Sequence, residues 1–301
     1  MIELKSEKIA IPVVLFAGLI WSFGPLVVRY MNDPHLVPWQ YIFARGLTIF
    51  VVLNLYLFFD EGKKFYKNYL KIGLSGIIGG CGLGVAMITF IYSITNTSAA
   101  ITLLCLAAMP FFTALLGFLF LKEKVSLNVW ISIFIATIGL IIIGYGNSSK
   151  ASLIGLVFGM ASSVGFSIFS VTLRWRKETP KFTTVAFSGF FCVTVSMIFI
   201  LINDAPIFST SYNGVLFSLH GTLVCMGLVL YSIGSKAIPA AELTLLSLTE
   251  VIGGIFWVWL PIFGINEIPT TNTIIGGFFL FISLTYYSLI MKTNKRFIAL
   301  N

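Results

Sequence analysis

Three ionisable side chains, Arg45, His220 and Glu250, lie deep within long apolar stretches of this 301-residue chain. A charge at the centre of a bilayer-spanning helix costs about 2.5–3.5 kcal/mol on insertion scales, so each needs either a partner or a task. Glu250 sits within LTLLSLTEVIGGIFW. Helical spacing sets Ser247, Gly254 and Trp257 on its face, a polar and small stripe that points into a bundle rather than at lipid. Two readings stand for Glu250: it binds a substrate amine or carries a coupling proton, or it is a structural partner, ion-paired with Arg45 or hydrogen-bonded to hold helices together. Arg45 shares a face with Tyr41 and Thr48; it neutralises a substrate carboxylate, snorkels to the interface, or serves as that charge partner. His220 is either a satisfied hydrogen-bonding residue or a proton-responsive one. Trp21 lies near mid-membrane while the other five tryptophans fall towards span ends, so its N–H needs a partner inside the bundle, as pocket wall or as core. Trp21, His220, Ser247, Glu250 and Trp257 form the candidate substrate-binding set.

The elements that must position these groups follow from composition. Hydrophobic residues make up 58% of the chain and charged residues 10%, against roughly 25% charged in soluble domains. Mean hydropathy is +0.99. The chain has no polar exterior for water and is an integral membrane protein. Apolar runs long enough to cross about 30 Å of hydrocarbon cover residues 9–31, 36–59, 69–91, 97–120, 125–145, 151–174, 181–203, 212–234, 240–263 and 271–291. The expected fold is all-α, with ten transmembrane helices. The first run is preceded by Lys5 and Lys8 but is too long for a signal sequence and offers no cleavage site, so it reads as a retained first helix. Pro110, near the middle of the fourth run, should bend that helix by removing a backbone donor.

All but three of the 19 Lys and Arg residues fall on one side of this topology; Arg29 and Lys150 lie on the other, and Arg45 within the membrane. That asymmetry puts both termini in the cytoplasm and makes the net charge of +8 topological rather than a nucleic-acid footprint. The four cysteines lie singly in four spans, with no metal-ligand spacing and no expectation of disulfides. No nucleotide-binding motif, metal motif or cofactor motif occurs, and no nucleophile and base form a set that an intramembrane enzyme would need.

The chain also repeats itself. Tyr92-Ser93-Ile94 recurs as Tyr231-Ser232-Ile233, and Thr102-Leu103-Leu104-Cys105-Leu106 is answered by Thr244-Leu245-Leu246-Ser247-Leu248. Two copies of five helices, residues 1–147 and 148–301, would enter the membrane from opposite sides, because five is odd. Inverted repeats of this kind enclose a midplane site in secondary transporters. Small residues at Gly76, Gly80 and Gly84, and at Gly155, Gly159, Ser163 and Ser167, mark ridges for close helix packing. Glu123 and Glu267, at span ends on opposite sides, read as solvated or cap-satisfying charges.

With Trp21, Arg45, the stretch AAMPFFTALLGFLFLKE containing Pro110 and Glu123, and Glu250 followed by NEIPTTNTIIGG, the chain resembles the drug/metabolite transporter superfamily in its EamA-like branch of ten-helix permeases. That family often carries Glu-Pro in the ninth helix, where this chain has Glu250-Val251. The resemblance implies a secondary transporter of a small polar metabolite, an amino acid or related compound, working by alternating access from a midplane cavity. It also implies a multi-pass protein of the inner (plasma) membrane, monomeric or homodimeric, driven by protons or by exchange. A proton-coupled drug or cation efflux permease is the alternative. A glutamate shared by members with different substrates fits a structural role as well as a ligand-reading one.

Overall fold

In hydrocarbon no water satisfies backbone N–H and C=O groups, so apolar runs of this length must close their hydrogen bonds internally, as helices. The computed structural model, which describes residues 7–146, 153–176, 178–265 and 268–298, is all-helical throughout these residues. In chain order the helices are α1 Glu7–Trp21, α2 Phe23–Arg29, α3 Pro38–Glu61, α4 Lys67–Leu70, α5 Gly73–Asn96, α6 Ala99–Leu106 and α7 Met109–Leu116. There follow α8 Leu127–Gly146, α9 Leu153–Trp175, α10 Lys181–Ile202, α11 Ser211–Gly234, α12 Ala240–Leu246, α13 Thr249–Trp259 and α14 Thr271–Ile298. Eight stretches of the described residues are long and apolar enough to cross a membrane: Lys8–Arg29, Pro38–Lys64, Gly73–Asn96, Ala99–Leu121, Leu153–Trp175, Lys181–Ile202, Ser211–Gly234 and Ala240–Trp259. The protein is a multi-pass membrane protein. Glu267 and the 147/148 boundary expected between the two halves lie outside the described residues.

The third span runs five residues past its expected end, to Asn96, because polar side chains there cap their own helix. Thr95 Oγ1 donates to the Ile91 carbonyl at 2.7 Å and Asn96 Nδ2 to the Tyr92 carbonyl at 2.8 Å. Ser98 then opens the next helix, its hydroxyl accepting from Ile101 N at 3.3 Å.

Three of the spans are broken. α1 gives way to α2 at Ser22, whose hydroxyl donates to the Leu19 carbonyl at 2.6 Å, and Pro25 can offer no N–H to Trp21. α6 stops at Leu106 and α7 restarts at Met109, just ahead of Pro110, as its missing donor requires. The third break, at Ser247-Leu248 between α12 and α13, has no proline. There the chain tightens to three-residue spacing, with Glu250 N on the Ser247 carbonyl at 2.9 Å and Val251 N on the Leu248 carbonyl at 3.0 Å. Thr249 Oγ1, donating to the Leu15 carbonyl of α1 at 3.2 Å, ties the restart to a neighbouring helix.

α9 packs along α5 and alongside α6 and α7; α11 packs along α1 and α3; α10 packs along α3 and α5; α8 and α14 pair with each other. α12 meets α7, and α13 meets α1, α2 and α6. Contact between α5 and α9 is close because glycines face each other: a Cβ on Gly165 would stand 2.6 Å from the Gly82 carbonyl oxygen. Ser163 donates to the Cys105 carbonyl, and Ser167 to the Met109 carbonyl at 3.1 Å, on either side of the break that precedes α7. Both ends of the bundle are tied. At the lysine-rich end Glu123 pairs with Arg174 at 2.6 Å and accepts from Ala240 N at 3.3 Å, while Arg174 Nη1 donates to the Ile238 carbonyl at 2.9 Å. Glu123 thus caps α12, as expected of a charge at a span end, and is ion-paired as well. At the other end Asn32 and Asn213 bond reciprocally at 2.9 and 2.8 Å.

Candidate functional site

The breaks converge. Leu106 and Met109 flank the one before α7, Glu250 follows the one before α13, and Trp21 precedes the one before α2. All four residues line a single cavity of about 60 Å³. By this measure a water needs on the order of 10–15 Å³, so the cavity suits a few waters or one small polar group and is closed around larger solutes. Arg45 and His220 line it too, with Phe90 and Phe166 among the apolar walls.

Arg45 is 6% exposed, and its Nε and Nη1 groups have no hydrogen-bond partner among the described residues. Its guanidinium lies over the Phe90 ring, 5.5 Å from the centroid. No carboxylate of the described residues pairs with it, so the expected ion pair with Glu250 is not formed. Snorkelling is not seen either, since the head group is buried. Glu250 stands in the first turn of α13, where the helix dipole favours a negative group, and it enters the cavity because the chain restarts there.

His220 bonds through Nδ1 to the Tyr41 hydroxyl, and Tyr41 lies one turn before Arg45 on the same face of α3. This leaves the Nε2 edge of the ring against Gly24, where a Cβ would stand 2.7 Å from Nε2. Trp21 has the interior partner its depth demands: Nε1 donates to the Val224 carbonyl at 3.2 Å. The indole fits only because Gly227 carries no side chain; a Cβ there would stand 2.1 Å from Nε1. Phe166 meets Trp21 edge-on at 5.7 Å between ring centroids.

The structure therefore brings Trp21, Arg45, His220 and Glu250 together and leaves Ser247 and Trp257 off the cavity. Ser247 falls on the far side of the helix break, which resets the helical phase, and its hydroxyl donates back to the Thr244 carbonyl at 2.8 Å. Trp257 donates to Ser22 Oγ at 2.8 Å and stacks on Phe23, ring centroids 4.6 Å apart. The wall residues Phe90 and Phe166 carried no signal among 29 phenylalanines. Tyr41 did, through its four-residue spacing from Arg45. Among the described residues no cluster of three His, Cys, Asp or Glu could hold a metal.

Interrupted helices that meet around a polar site recur in membrane transporters. Residues 8–145 match the EamA-like transporter family. A protein of Helicobacter pylori strain J99 named "Uncharacterized transporter" is 26% identical over 206 residues, 67% of each chain. A Clostridium kluyveri protein of the same name is 28% identical over 238 residues, 74% of this chain and 73% of its own. A crystal structure aligns over 96% of this chain and 99% of its own with a TM-score of 0.70 at 16% identity, and so shares the fold.

Proposed function

We propose that the protein is a secondary transporter of a small amphoteric metabolite, an amino acid or related compound, held at the central cavity and moved by alternating access. The observation that carries this is the guanidinium of Arg45, buried with two N–H groups unpartnered among the described residues, sharing one cavity with a Glu250 that forms no ion pair with it. A buried charge left without a partner is costly. A solute bearing a carboxylate and an ammonium group would satisfy both residues at once, and Trp21, Phe90 and Phe166 would pack its body. His220, held by Tyr41, would lend Nε2. Ser247 and Trp257 would act at one remove, by shaping the break before α13 and the turn at Ser22. Arg45 speaks against the alternative of a drug or cation permease, since a bare cation would meet a like charge.

In this reading α8 and α14 also cross the bilayer, making ten spans in two inverted repeats, residues 1–147 and 148–301. The pattern of packing supports it. Exchanging each span for the one five places on turns α5–α9 into α11–α1, α5–α10 into α11–α3 and α7–α12 into α13–α6, and leaves α3–α10 and α8–α14 unchanged. The breaks before α7 and α13 exchange as well. Both termini would face the cytoplasm across an inner (plasma) membrane, and protons or a counter-substrate would supply the drive, in a monomer or homodimer. Flux into proteoliposomes tests the proposal: a neutral amino acid should move, whereas its decarboxylated amine and its deaminated acid should not. Equal transport of the amine would sink it.

A further inference from the structure

The lysine-rich end of the bundle holds a second cavity, of about 250 Å³, which shares no lining residue with the first. It is bounded by the end of α3, the segment that leads into α5, the first turn of α10 and the end of α11. Two of its lining residues, Thr183 and Ser232, are fully buried, and neither hydroxyl has a hydrogen-bond partner among the described residues. Helix geometry does not force this. Their neighbours Thr184 and Ser235 bond back to the Pro180 and Ser232 carbonyls at 3.1 and 2.8 Å. Buried hydroxyls in native structures nearly always find a partner, and two on residues that line one cavity point to a ligand that supplies it.

The rest of the lining is net positive, with three lysines against two carboxylates. α10 is a 22-residue helix that starts after Pro180 with no side-chain cap, and Pro180, Lys181, Phe182 and Thr183 of its start all line the cavity. An uncapped helix start presents N–H groups and the positive end of the helix dipole. Lys71, Lys181 and Lys236 line it as well, Lys181 with its ammonium on Ser235 Oγ at 2.7 Å. Two carboxylates are present. Glu61 is engaged, accepting from Asn68 Nδ2 at 2.7 Å, and Glu178 is exposed.

We propose that this cavity binds a phosphoryl oxyanion, with Thr183 Oγ1, Ser232 Oγ and the first turn of α10 donating to its oxygens and the lysines balancing its charge. Donors converge from two helices and several directions, which suits a tetrahedral group better than a planar carboxylate. The same chemistry comes from an anionic phospholipid headgroup, at the level where these helices end, or from a soluble phosphate.

Thermal unfolding of the purified full-length protein tests this. In detergent the probe is inorganic phosphate against sodium chloride of equal ionic strength; in nanodiscs it is phosphatidylcholine with and without phosphatidylglycerol. The expected result is a midpoint raised above the control by phosphate, by phosphatidylglycerol or by both. A response to phosphate assigns a soluble ligand, and a response to phosphatidylglycerol alone assigns the headgroup. The double variant Thr183→Val/Ser232→Ala should start from a higher midpoint, having lost its orphaned hydroxyls, and should bind the responding probe at least about fivefold more weakly. Lys71→Gln changes only an exposed side chain and should keep the unliganded midpoint while weakening the response, so it carries the test if the first variant does not fold. No response to either probe in the wild type, or an undiminished response in both variants, overturns the proposal.

Discussion

Arg45→Met separates a residue kept for a ligand from one kept for the fold. Methionine matches the length and flexibility of the arginine stem and carries no donor. The substitution deletes two buried N–H groups that have no partner, Nε and Nη1. Each unsatisfied buried donor costs about 1–3 kcal/mol, and more on a charged group. What the variant loses is the attraction of the guanidinium to Glu250 across the cavity and its contact with Phe90 at 5.5 Å, the latter worth about 0.5–2 kcal/mol. The balance is a stabilisation of about 2 kcal/mol, within the range seen when buried charges are replaced by apolar residues. An arginine that held the bundle together would give the opposite sign, a loss of about 3–5 kcal/mol.

The assay is paired. Equilibrium unfolding in mixed detergent micelles reads stability, and flux into proteoliposomes reads function. We expect a variant more stable than the wild type whose flux falls to that of protein-free liposomes. A variant destabilised by more than about 1 kcal/mol, or one that still transports, would refute the reasoning.

Glu250→Gln keeps the shape of the cavity and removes the charge; an ammonium–carboxylate contact worth about 1.5–3 kcal/mol is lost, so substrate affinity should fall roughly ten- to a hundredfold, read by competition binding. Gly227→Ala places a Cβ 2.1 Å from Trp21 Nε1 and should destabilise by about 1–3 kcal/mol with a shift in tryptophan emission, and Trp21→Phe in the same chain should relieve it. Ser163→Ala and Ser167→Ala each remove a hydroxyl bonded to a carbonyl beside the break before α7, and each should cost about 0.6 kcal/mol in the same micelle assay.

Position in the sequence was enough to bring Trp21, Arg45, His220 and Glu250 to notice, because depth in the membrane makes a polar group expensive wherever it lies along a helix. Spacing predicts the neighbours of Glu250 only on a continuous helix, and Ser247 stands on the other side of the break between α12 and α13. Prolines announce the breaks at α1–α2 and α6–α7. The break before α13 follows no proline; contacts from another helix hold it, among them the bond from Thr249 Oγ1 to the Leu15 carbonyl across 234 positions of sequence. Trp257 misses the cavity for a different reason. Seven residues return a helix to the same face but advance it about 10.5 Å, beyond a cavity of this size. The buried hydroxyls were equally illegible. Ser232 appeared in the sequence only as a repeat of Ser93, yet the Ser93 hydroxyl bonds to Thr102 Oγ1 at 2.9 Å and the Ser232 hydroxyl has no partner among the described residues.

Four buried residues of the described chain keep polar side-chain atoms unpartnered: Arg45, Thr113, Thr183 and Ser232. The first lines the central cavity and the last two line the basic one, whereas Thr113, fully buried in α7, lines neither. Thr113 is therefore the control for the whole line of argument. If unpartnered polar atoms matter only as local destabilisation, all four residues behave alike. If they matter because a cavity presents them to a ligand, Thr113→Val gains about 1–3 kcal/mol of stability and leaves both substrate flux and the phosphate response unchanged. The other three lose a function with the same gain. Unfolding, flux and phosphate titration of Thr113→Val beside Arg45→Met decide between these: equal loss of flux in the two variants would break the link between an unpartnered group and a site.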